Sequence, residues 1–472
     1  MSALKQLYGR SLGLLTDLYQ LTMAQGYWKL GMSEHEAVFH LFFRRAPFKG
    51  GYALAAGLDL AIDLCEGLRF AADELEYLGG LRGNDGRPLF EAGFLEYLGA
   101  LRFSCDVDAM PEGTAAFAHE PLLRIRGPLL QCQLLETSLL NVINFSTLIA
   151  TKAARIASVA GESTLLEFGL RRAQGIDGAI TAARAAVIGG CAATSNCLAG
   201  MLYQIPVRGT HAHSWVMAFE SELAAFSAYA EVMPNNCVFL VDTYETIAGV
   251  GHAVTVGQRL KARGHTMIGV RLDSGDLEAL SFEARRLLDE GGLEEAVVVA
   301  SNDLDERSIA ALTAKRAPIG VYGVGTKLAT AYDQPALGGV YKLAAIRGPG
   351  EAWSYRLKRS EEAIKISNPG IQQVFRRVDA EGRFFSEDII YDEALGSAEA
   401  LTDGEALLVP IFRGGARLYE SPPVLAIQAR AKAQLGRLRD GLRRLDPDDV
   451  YAVRLDARLA ALKAALLEEV GG

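Results

Sequence analysis

Short apolar runs that each end in polar residues dominate the middle of the chain. The runs TLLEF, NCVFLVD, TMIGVRLD, EAVVVASND and IGVYGVGT end near Phe168, Asp242, Asp273, Asp303 and Thr326. The ends at Asp242, Asp273 and Asp303 follow one another at about thirty residues, the length of a strand with its following helix. Runs of this kind are typical of strands that are buried on both faces. The pattern therefore predicts parallel strands in a βα barrel.

Different patterns flank this region. AVFHLFFRRAPF predicts a strand that ends at Pro47, and apolar residues at helical spacing predict helices within 57–101 and 131–159. After Gly348 the chain becomes charged and irregular. Two closing segments, AIQARAKAQLGRLRDGLRRL and VRLDARLAALKAALLEEV, predict amphipathic helices.

An acidic surplus limits the possible partners. The 472 residues include 48 Lys and Arg against 57 Asp and Glu, a formal charge of −9, which disfavours nucleic acid and anionic lipid surfaces. No apolar run reaches the roughly 18–20 residues of a membrane-spanning helix. The start, MSALKQLYGRSLG, lacks the apolar core of a secretory signal. We therefore expect a cytoplasmic protein without a nucleic-acid or membrane partner.

The six cysteines add no chemistry of their own. They are scattered along the chain without a C-x-x-C pair, which fits neither a disulfide scaffold nor a zinc ribbon. We expect them to be small buried residues in a reducing compartment.

Polar residues collect at the ends of the predicted barrel strands. They are Glu167, Arg171, Asp242, Tyr244, Glu245, Arg271, Asp273, Asn302, Asp303 and Thr326. A single polar residue at such a place usually caps the next helix. Five polar strand ends in succession instead predict a functional site, because barrel enzymes place their chemistry beyond the carboxyl ends of the strands.

The pair His211 and His213 allows three interpretations. The two rings could be ordinary polar side chains at a strand end, or a metal pair of a barrel hydrolase, or they could accept phosphate or a proton. On an extended segment a two-residue spacing turns both rings the same way. Arg171, Arg172 and Arg271 leave neighbouring strands, and arginine binds carboxylate and phosphate bidentately. The third interpretation therefore comes with anionic substrates.

Longer blocks carry a family resemblance. They are LLTDLYQLTMAQGYW, HLFFRRAPF, QLLETSLLN, EFGLRRAQGIDGA, TSNCLAG, GTHAHSW, FLVDTYET, GVRLDSGDL, SNDLDE, YGVGTKLAT and PALGGVYKLAA. With these blocks the chain closely resembles the nicotinate phosphoribosyltransferase family over nearly its whole length.

The resemblance implies the fold and its divisions. It implies a type II phosphoribosyltransferase of the α/β class, with an irregular βα barrel packed with an α/β-sandwich domain built from N-terminal and C-terminal segments. The sandwich would begin in residues 1–130, the barrel with the phosphoribosyl site would occupy 131–345, and residues 346–472 would return to the sandwich and form the closing helices.

The resemblance also implies the reaction. Nicotinate and 5-phosphoribosyl 1-pyrophosphate would give nicotinate mononucleotide and pyrophosphate in NAD biosynthesis, coupled to ATP hydrolysis, with Mg²⁺ accompanying the phosphates. Members commonly form homodimers in which an Asp-Leu-Tyr segment, here Asp17 to Tyr19, completes the partner's site. The metal ligands are not assigned.

Site residues carry over by motif position. His213 matches a transiently phosphorylated histidine, whereas His211 occupies a variable place in the same motif. Tyr19, Thr210 and Arg271 match nicotinate contacts, Phe168 and Arg171 would stack on the pyridine and pair with its carboxylate, and Asp273 would serve the ribose hydroxyls or the metal. Gly323, Gly325 and Thr326 would bind the 5-phosphate. The complete set of implied substrate-binding residues is Asp17, Tyr19, Phe168, Arg171, Ser195, Asn196, Thr210, Arg271, Asp273, Asn302, Gly323, Gly325 and Thr326.

Three different functions compete with this assignment. A nicotinamide-using relative carries an acidic residue where Asn196 stands here, and an aspartate would repel a carboxylate substrate, so Asn196 favours nicotinate. The second competing function is that of a non-catalytic relative that binds a nucleotide, and the third is that of a barrel amidohydrolase. The roles of Lys358, Ser360 and Lys365 stay open.

Overall fold

The computed structural model describes residues 8–9 and 11–469, so most of the segment MSALKQLYGRSLG, which lacks the core of a secretory signal, lies outside the described residues. The described chain forms two compact units. One comprises the described parts of Met1–Thr151, Ala336–Pro422 and Ala429–Gly472, and the other comprises Lys152–Pro335 with Pro423–Gln428. We call them the terminal unit and the barrel unit. The domain boundaries predicted at residues 130 and 345 stay a prediction.

The barrel unit is built on six parallel strands. Their order across the sheet is Ala193–Thr194, Thr164–Glu167, Val321–Val324, Val297–Ala300, Gly269–Leu272 and Val238–Leu240. Five of the six are the strands that the apolar runs predicted, and these predictions are confirmed. Since every pairing is parallel, all carboxyl ends meet at one edge.

Helices alternate with these strands. They are Gly175–Ile188, Cys197–Tyr203, His213–Met217, Glu222–Val232, Thr246–Ala262, Leu277–Glu290, Glu306–Ala314 and Thr326–Ala329. Three of them are preceded by an acidic N-cap residue, Glu245, Asp276 or Asp305, whose carboxylate accepts hydrogen bonds from the first free backbone N–H groups. Some polar residues that follow strands therefore serve only to cap the next helix.

The terminal unit holds the antiparallel sheets. Its seven-stranded sheet has the order Ser354–Tyr355, Gly339–Arg347, Glu36–Phe43, Leu123–Pro128, Asp106–Ala109, Val409–Arg413 and Ala416–Arg417. Its four-stranded sheet has the order Gly404–Ala406, Gln372–Val378, Phe385–Asp392 and Ala452–Leu455, and Ala53–Leu54 pairs with Ala115–Ala116. Segments from both ends of the chain thus build one unit. The predicted fold class, an irregular βα barrel with an α/β sandwich, is confirmed.

Helices complete the terminal unit. They are Leu18–Lys29, Leu58–Glu66, Ala72–Gly80, Ala92–Ala100, Leu129–Leu134, Asp440–Arg443 and Ala457–Glu469, with short 3₁₀ turns at Pro47–Lys49 and Ala363–Lys365. The helices Glu136–Val159 and Val424–Gly436 have residues in both units. One apolar cluster joins several of the early helices through the buried side chains of Leu21, Phe94 and Leu130. Among the helices described, none is long and apolar enough to cross a membrane.

Two expectations for the carboxyl-terminal part were wrong. The charged part after Gly348 is irregular only up to about residue 371, where it holds one two-residue strand and one 3₁₀ turn, and the chain beyond it contributes the whole four-stranded sheet. The second closing helix begins at Ala457, and Ala452–Leu455 before it is a strand that runs parallel to Phe385–Asp392. The two elements are separated by buried Asp456, whose carboxylate accepts hydrogen bonds from the backbone N–H groups of Arg458 and Ala398.

Candidate active site

A cavity of about 420 Å³ lies at the carboxyl ends of the barrel strands, a volume within the usual range of small-molecule sites. Its lining residues come from the carboxyl ends of five of the six strands, from the loops that follow them, and from the segment 209–212. They are Phe168, Leu170, Arg171, Arg172, Ser195, Gly209, Thr210, His211, Ala212, Arg271, Asp273, Ser301, Asn302, Asp303, Gly323, Gly325 and Thr326. Ten of the fourteen residues predicted for the site are in this set.

Arg271 is the centre of the polar contacts in the cavity. Its Nε donates to Ser301 Oγ at 2.9 Å, its Nη1 to Thr210 Oγ1 at 3.0 Å, and its Nη2 to Asp273 Oδ1 at 2.8 Å. A guanidinium has five N–H donors, so these three bonds leave two for a ligand. Arg271 Cζ also lies 5.8 Å from the ring centroid of Phe168. One cation therefore fixes side chains from three different loops.

The carboxylate of Asp273 links Arg271 to His213. Burial by itself would raise the pKa of Asp273, but the hydroxyl of Ser301 and the guanidinium of Arg271 outweigh it, so the pKa is lowered. Asp273 Oδ2 lies 3.8 Å from His213 Nε2. The backbone N–H of Asp273 donates to Asp242 Oδ2 at 2.9 Å, which ties the end of this strand to the neighbouring one.

The two histidines of the motif have different surroundings. His211 is buried, its ring centroid is 5.1 Å from that of Tyr229, and its Nε2 accepts from the backbone N–H of Leu240 at 3.3 Å. Burial lowers the pKa of His211. His213 is part-exposed, and its Nδ1 lies 3.1 Å from Thr243 Oγ1.

The expectation that both histidines lie on one extended segment was wrong. His213 is the first residue of the helix His213–Met217, and the alternation of side chains in an extended segment ends where a helix begins. The predicted catalytic histidine, His213, is not among the lining residues. It lies beside Asp273, which does line the cavity.

Gly323 is needed for packing against an aromatic ring. A Cβ at this position would come within 2.6 Å of the Phe168 ring, so only glycine lets the ring lie over this strand. A Cβ at Gly325 would be 3.1 Å from the carbonyl oxygen of Phe168. Both glycines line the cavity, so the same absence of a side chain seats Phe168 and leaves the backbone accessible.

Three further predicted residues are outside this lining. Asn196 is buried and caps the helix Cys197–Tyr203, because its Oδ1 accepts from the backbone N–H of Ala199 at 3.1 Å, and its neighbour Ser195 lines the cavity instead. Asp17 and Tyr19 belong to the terminal unit, where Asp17 Oδ2 accepts from Thr137 Oγ1 at 2.8 Å and Tyr19 is 48% exposed.

The residues whose roles were open also lie in the terminal unit. Lys365 is paired with Glu362, the hydroxyl of Ser360 accepts from the backbone N–H of Glu362 at 3.4 Å, and the backbone N–H of Lys358 donates to Ser367. These contacts are local, and they assign no substrate role.

The sequence pattern did not indicate Ser301 and Thr243. Ser301 bonds to both Arg271 and Asp273, and Thr243 bonds to His213. Each directly follows or nearly follows a predicted strand, so position alone could have indicated them. Their hydroxyls carry no charge, and nothing else in the pattern distinguishes them from other polar residues of loops.

The acidic side chains of the site form no preassembled metal cage. No group of three or more potential ligands is found among residues 8–9 and 11–469. Asp273 and Asp303 line the cavity, and Asp242 Oδ1 is buried without a hydrogen-bond partner in the described part of the chain. Since Mg²⁺ usually binds through one or two carboxylates together with substrate phosphates and water, these residues fit that ion.

The chain matches family models along most of its length. Residues 14–144 match the nicotinate phosphoribosyltransferase (NAPRTase) N-terminal domain, residues 163–355 the nicotinate phosphoribosyltransferase (NAPRTase) family, and residues 397–463 the nicotinate phosphoribosyltransferase C-terminal domain.

Individual proteins agree with these matches. The nicotinate phosphoribosyltransferase of Bacillus subtilis is 43% identical over 479 residues, covering 98% of this chain and 96% of that protein. The Homo sapiens enzyme of the same name is 36% identical and covers 96% of each. The crystal structure of human nicotinic acid phosphoribosyltransferase superposes with a TM-score of 0.84 at 33% identity, covering 96% of this chain and 99% of that one.

Proposed function

The chain belongs to the nicotinate phosphoribosyltransferase family and is therefore an enzyme of NAD biosynthesis, and we propose that the cavity of the barrel unit is where the phosphoribosyl group passes from 5-phosphoribosyl 1-pyrophosphate to nicotinate. One observation carries this assignment. Three arginines, an aromatic ring and three glycines surround one cavity beside a part-exposed histidine. Both reactants are anionic, and nicotinate also has an aromatic face.

Nicotinate binds at the end of the cavity formed by Phe168. Its ring stacks on Phe168, and its carboxylate receives hydrogen bonds from the exposed Arg171 and from the two remaining donors of Arg271. Thr210 and Asp273 hold the Arg271 fork in place, so little reorganisation is needed when the substrate arrives.

The 5-phosphate binds where the strand Val321–Val324 ends. Gly325 and Thr326 offer backbone N–H groups and a hydroxyl there, and the lack of a side chain at Gly325 permits close approach. Asn302 and Asp303 from the neighbouring loop face the same cavity and would meet the ribose and the metal. As pyrophosphate leaves, positive charge develops at the anomeric carbon, and the ring nitrogen of nicotinate forms the new bond to that carbon.

ATP takes part in the reaction by phosphorylating His213. Nε2 attacks the γ-phosphorus of ATP, an N–P bond forms, and the bond from that phosphorus to the bridging oxygen breaks to release ADP. For Nε2 to carry the lone pair, Nδ1–H must donate to Thr243 Oγ1, which lies 3.1 Å away. Hydrolysis of the phosphoramidate after transfer returns the free imidazole and phosphate.

Asp273 explains how phosphorylation could affect substrate binding. A phosphoryl group on Nε2 would place new negative charge next to Asp273 Oδ2, now 3.8 Å from that nitrogen, and like charges repel. This repulsion would push the Asp273 carboxylate away from His213. The same carboxylate accepts the hydrogen bond of Arg271. The state of His213 is thereby transmitted to the residues at the nicotinate end of the cavity.

A bound Mg²⁺ would neutralise phosphate oxygens and the leaving pyrophosphate, and Asp273 and Asp303 are the residues that would hold it. We further propose a homodimer in which the segment Asp17–Tyr19 of one copy completes the site of the other. The helix Leu18–Lys29 supports this, because Tyr19 and Met23, four residues apart and so on one helix face, are 48% and 41% exposed, and neighbouring Leu18 is 53% exposed.

The test is pyrophosphate release by the purified protein with 5-phosphoribosyl 1-pyrophosphate and Mg²⁺. Nicotinate should support turnover, nicotinamide should not, and ATP should increase the rate and be hydrolysed alongside. Binding of substrates without any release of pyrophosphate would refute the enzymatic assignment. Faster turnover with nicotinamide would refute the substrate assignment, and a rate independent of ATP would refute the coupling.

A further inference from the structure

Two loops at the carboxyl edge of the barrel form one side of the cavity. The first follows the strand Val297–Ala300 and supplies Ser301, Asn302 and Asp303, and the second ends the strand Val321–Val324 and supplies Gly325 and Thr326. Shortly beyond these lining residues, the first loop ends at the helix cap Asp305, and Lys327 follows Thr326 in the short helix Thr326–Ala329.

Asp305 and Lys327 connect the two loops. Lys327 Nζ lies 2.8 Å from Asp305 Oδ2, and the side chains are only 27% and 23% exposed. The hydrogen bond that Lys327 donates to Asp305 raises the pKa of Lys327. Burial of the Asp305 carboxyl is outweighed by that ammonium and by Ser308, so its pKa is lowered. Partial shielding from water makes such a pair stronger than a fully exposed one. Neither residue is among those that line the cavity.

The first loop has a backbone that requires support. Asn302 and Asp303 have φ values of +90° and +45°, which lie in the left-handed region that residues other than glycine seldom adopt. Such conformations persist where the surroundings enforce them, and they are common at functional sites. Ser301 is fixed on one side through Arg271 and Asp273. On the other side buried Leu304 and the helix cap Asp305 hold the chain.

We propose that the Lys327–Asp305 ion pair positions the phosphoribosyl donor by locking the loop of Asn302 and Asp303 to the loop of Gly325 and Thr326. The inference rests on the proposed function, because it assumes that the donor lies against both loops. With the pair intact, the two sides of the donor site have one fixed spacing. Without it, the strained loop relaxes, and the donor must restore the arrangement from its own binding free energy.

A direct role for Lys327 makes the opposite prediction for its partner. If the ammonium itself bound a phosphate of the donor, the carboxylate of Asp305 would compete with that phosphate, and removing its charge would strengthen donor binding. If the pair is a positioning device, removing either charge weakens donor binding. Asp305→Asn therefore distinguishes the two, and asparagine still caps the helix Glu306–Ala314.

The experiment measures steady-state kinetics for Lys327→Met, Lys327→Arg, Asp305→Asn and the double variant Lys327→Met/Asp305→Asn. Asp276→Asn is the matched control, since Asp276 caps the helix Leu277–Glu290 with the same type of bond but is outside the pair. We expect the KM for 5-phosphoribosyl 1-pyrophosphate to rise about tenfold in Lys327→Met and in Asp305→Asn. The kcat and the KM for nicotinate should stay within about twofold, and Lys327→Arg should restore most of the loss.

The double variant and the control complete the test. Because both changes break one interaction, the double variant should be no worse than either single variant, and Asp276→Asn should match the wild type. A lower donor KM in Asp305→Asn, an unchanged donor KM in both single variants, or losses that multiply in the double variant would each overturn the proposal. A fall in kcat and a rise in both KM values by similar factors, with a lower thermal midpoint than that of Asp276→Asn, would indicate general destabilisation. That result would also overturn the proposal. Lack of activity in the wild-type protein would instead refute the proposed function.

Discussion

The substitution Thr243→Val tests the assignment of His213 by removing one hydroxyl. Thr243 Oγ1 lies 3.1 Å from His213 Nδ1, and valine has almost the same shape as threonine without the hydrogen-bonding oxygen. The variant loses the hydrogen bond that holds the imidazole with its proton on Nδ1 and the lone pair on Nε2. The rate of phosphoryl transfer from ATP should therefore fall, while the binding of nicotinate and the fold stay as they are.

The size of the effect follows from this one bond. A hydrogen bond between uncharged groups contributes roughly 0.5–1.5 kcal/mol, and about 1.4 kcal/mol corresponds to a factor of ten. If the bond is fully formed in the transition state, the initial rate of protein labelling from γ-labelled radioactive ATP should fall about two- to tenfold. The same factor should appear in ATP-dependent formation of nicotinate mononucleotide at saturating nicotinate.

Thr243→Ser is the matched control because it keeps the hydroxyl and removes only a methyl group. It should label close to the wild-type rate, and the thermal midpoints of both variants should be compared with that of the wild type. Labelling of Thr243→Val at the wild-type rate would refute the reasoning. An equal loss in Thr243→Ser would refute it as well, because packing would then account for the effect.

Three further outcomes can be measured. His213→Gln should abolish the acid-labile label and His211→Gln should keep it, because His211 is buried with its Nε2 lone pair accepting from the backbone N–H of Leu240, whereas His213 is part-exposed; label on the first variant would contradict the assignment. Since burial lowers the pKa of His211 from 6.5, its contribution to stability is complete above about pH 6.5 and is lost as the pH falls towards the folded-state pKa. Urea unfolding of His211→Gln should thus depend less on pH between about 7 and 5 than that of the wild type, and equal slopes would argue against a buried neutral ring. Arg376→Met should lower the free energy of unfolding by about 3–5 kcal/mol, because it leaves buried carboxylates unpaired; a change below about 1 kcal/mol in chemical denaturation would contradict this.

The barrel could be predicted because its strands are buried on both faces. Such strands need unbroken apolar runs, and the parallel connection adds a helix of similar length each time. Both features appear directly in the sequence, so strands such as Gly269–Leu272 and Val297–Ala300 were predicted close to their observed bounds. The strand Ala193–Thr194 has two residues, too few to form a pattern.

The four-stranded sheet could not be predicted because its interior contains charges. Arg376 and Asp388 stand opposite each other in neighbouring strands, are both buried, and are joined by several hydrogen bonds. The rings of Phe117 and Phe385 lie against the guanidinium. Because a buried ion pair has the same residue types as a solvent-exposed one, the alternation that normally identifies a half-buried strand is absent.

Candidate residues of the site were predicted better than their roles. The position of a strand end depends on backbone periodicity, which the sequence expresses, whereas the direction of a side chain depends on the local backbone conformation after the strand has ended. Asn196 turns inward to cap a helix, and a helix begins at His213. Residues that follow the strand ends can therefore be identified as neighbours, but their contacts require the structure.

The same reasoning explains why the contacts around Arg271 had no signal in the sequence. Its three partners are separated from it by 61, 30 and 2 residues along the chain, and two of them contribute only a hydroxyl. Parallel strands bring such distant residues to one edge without any common motif. A barrel can therefore assemble a precise cation site from residues that are individually ordinary. The observation that argues for function is the place of this guanidinium, which lines the cavity and has two N–H donors left for a ligand.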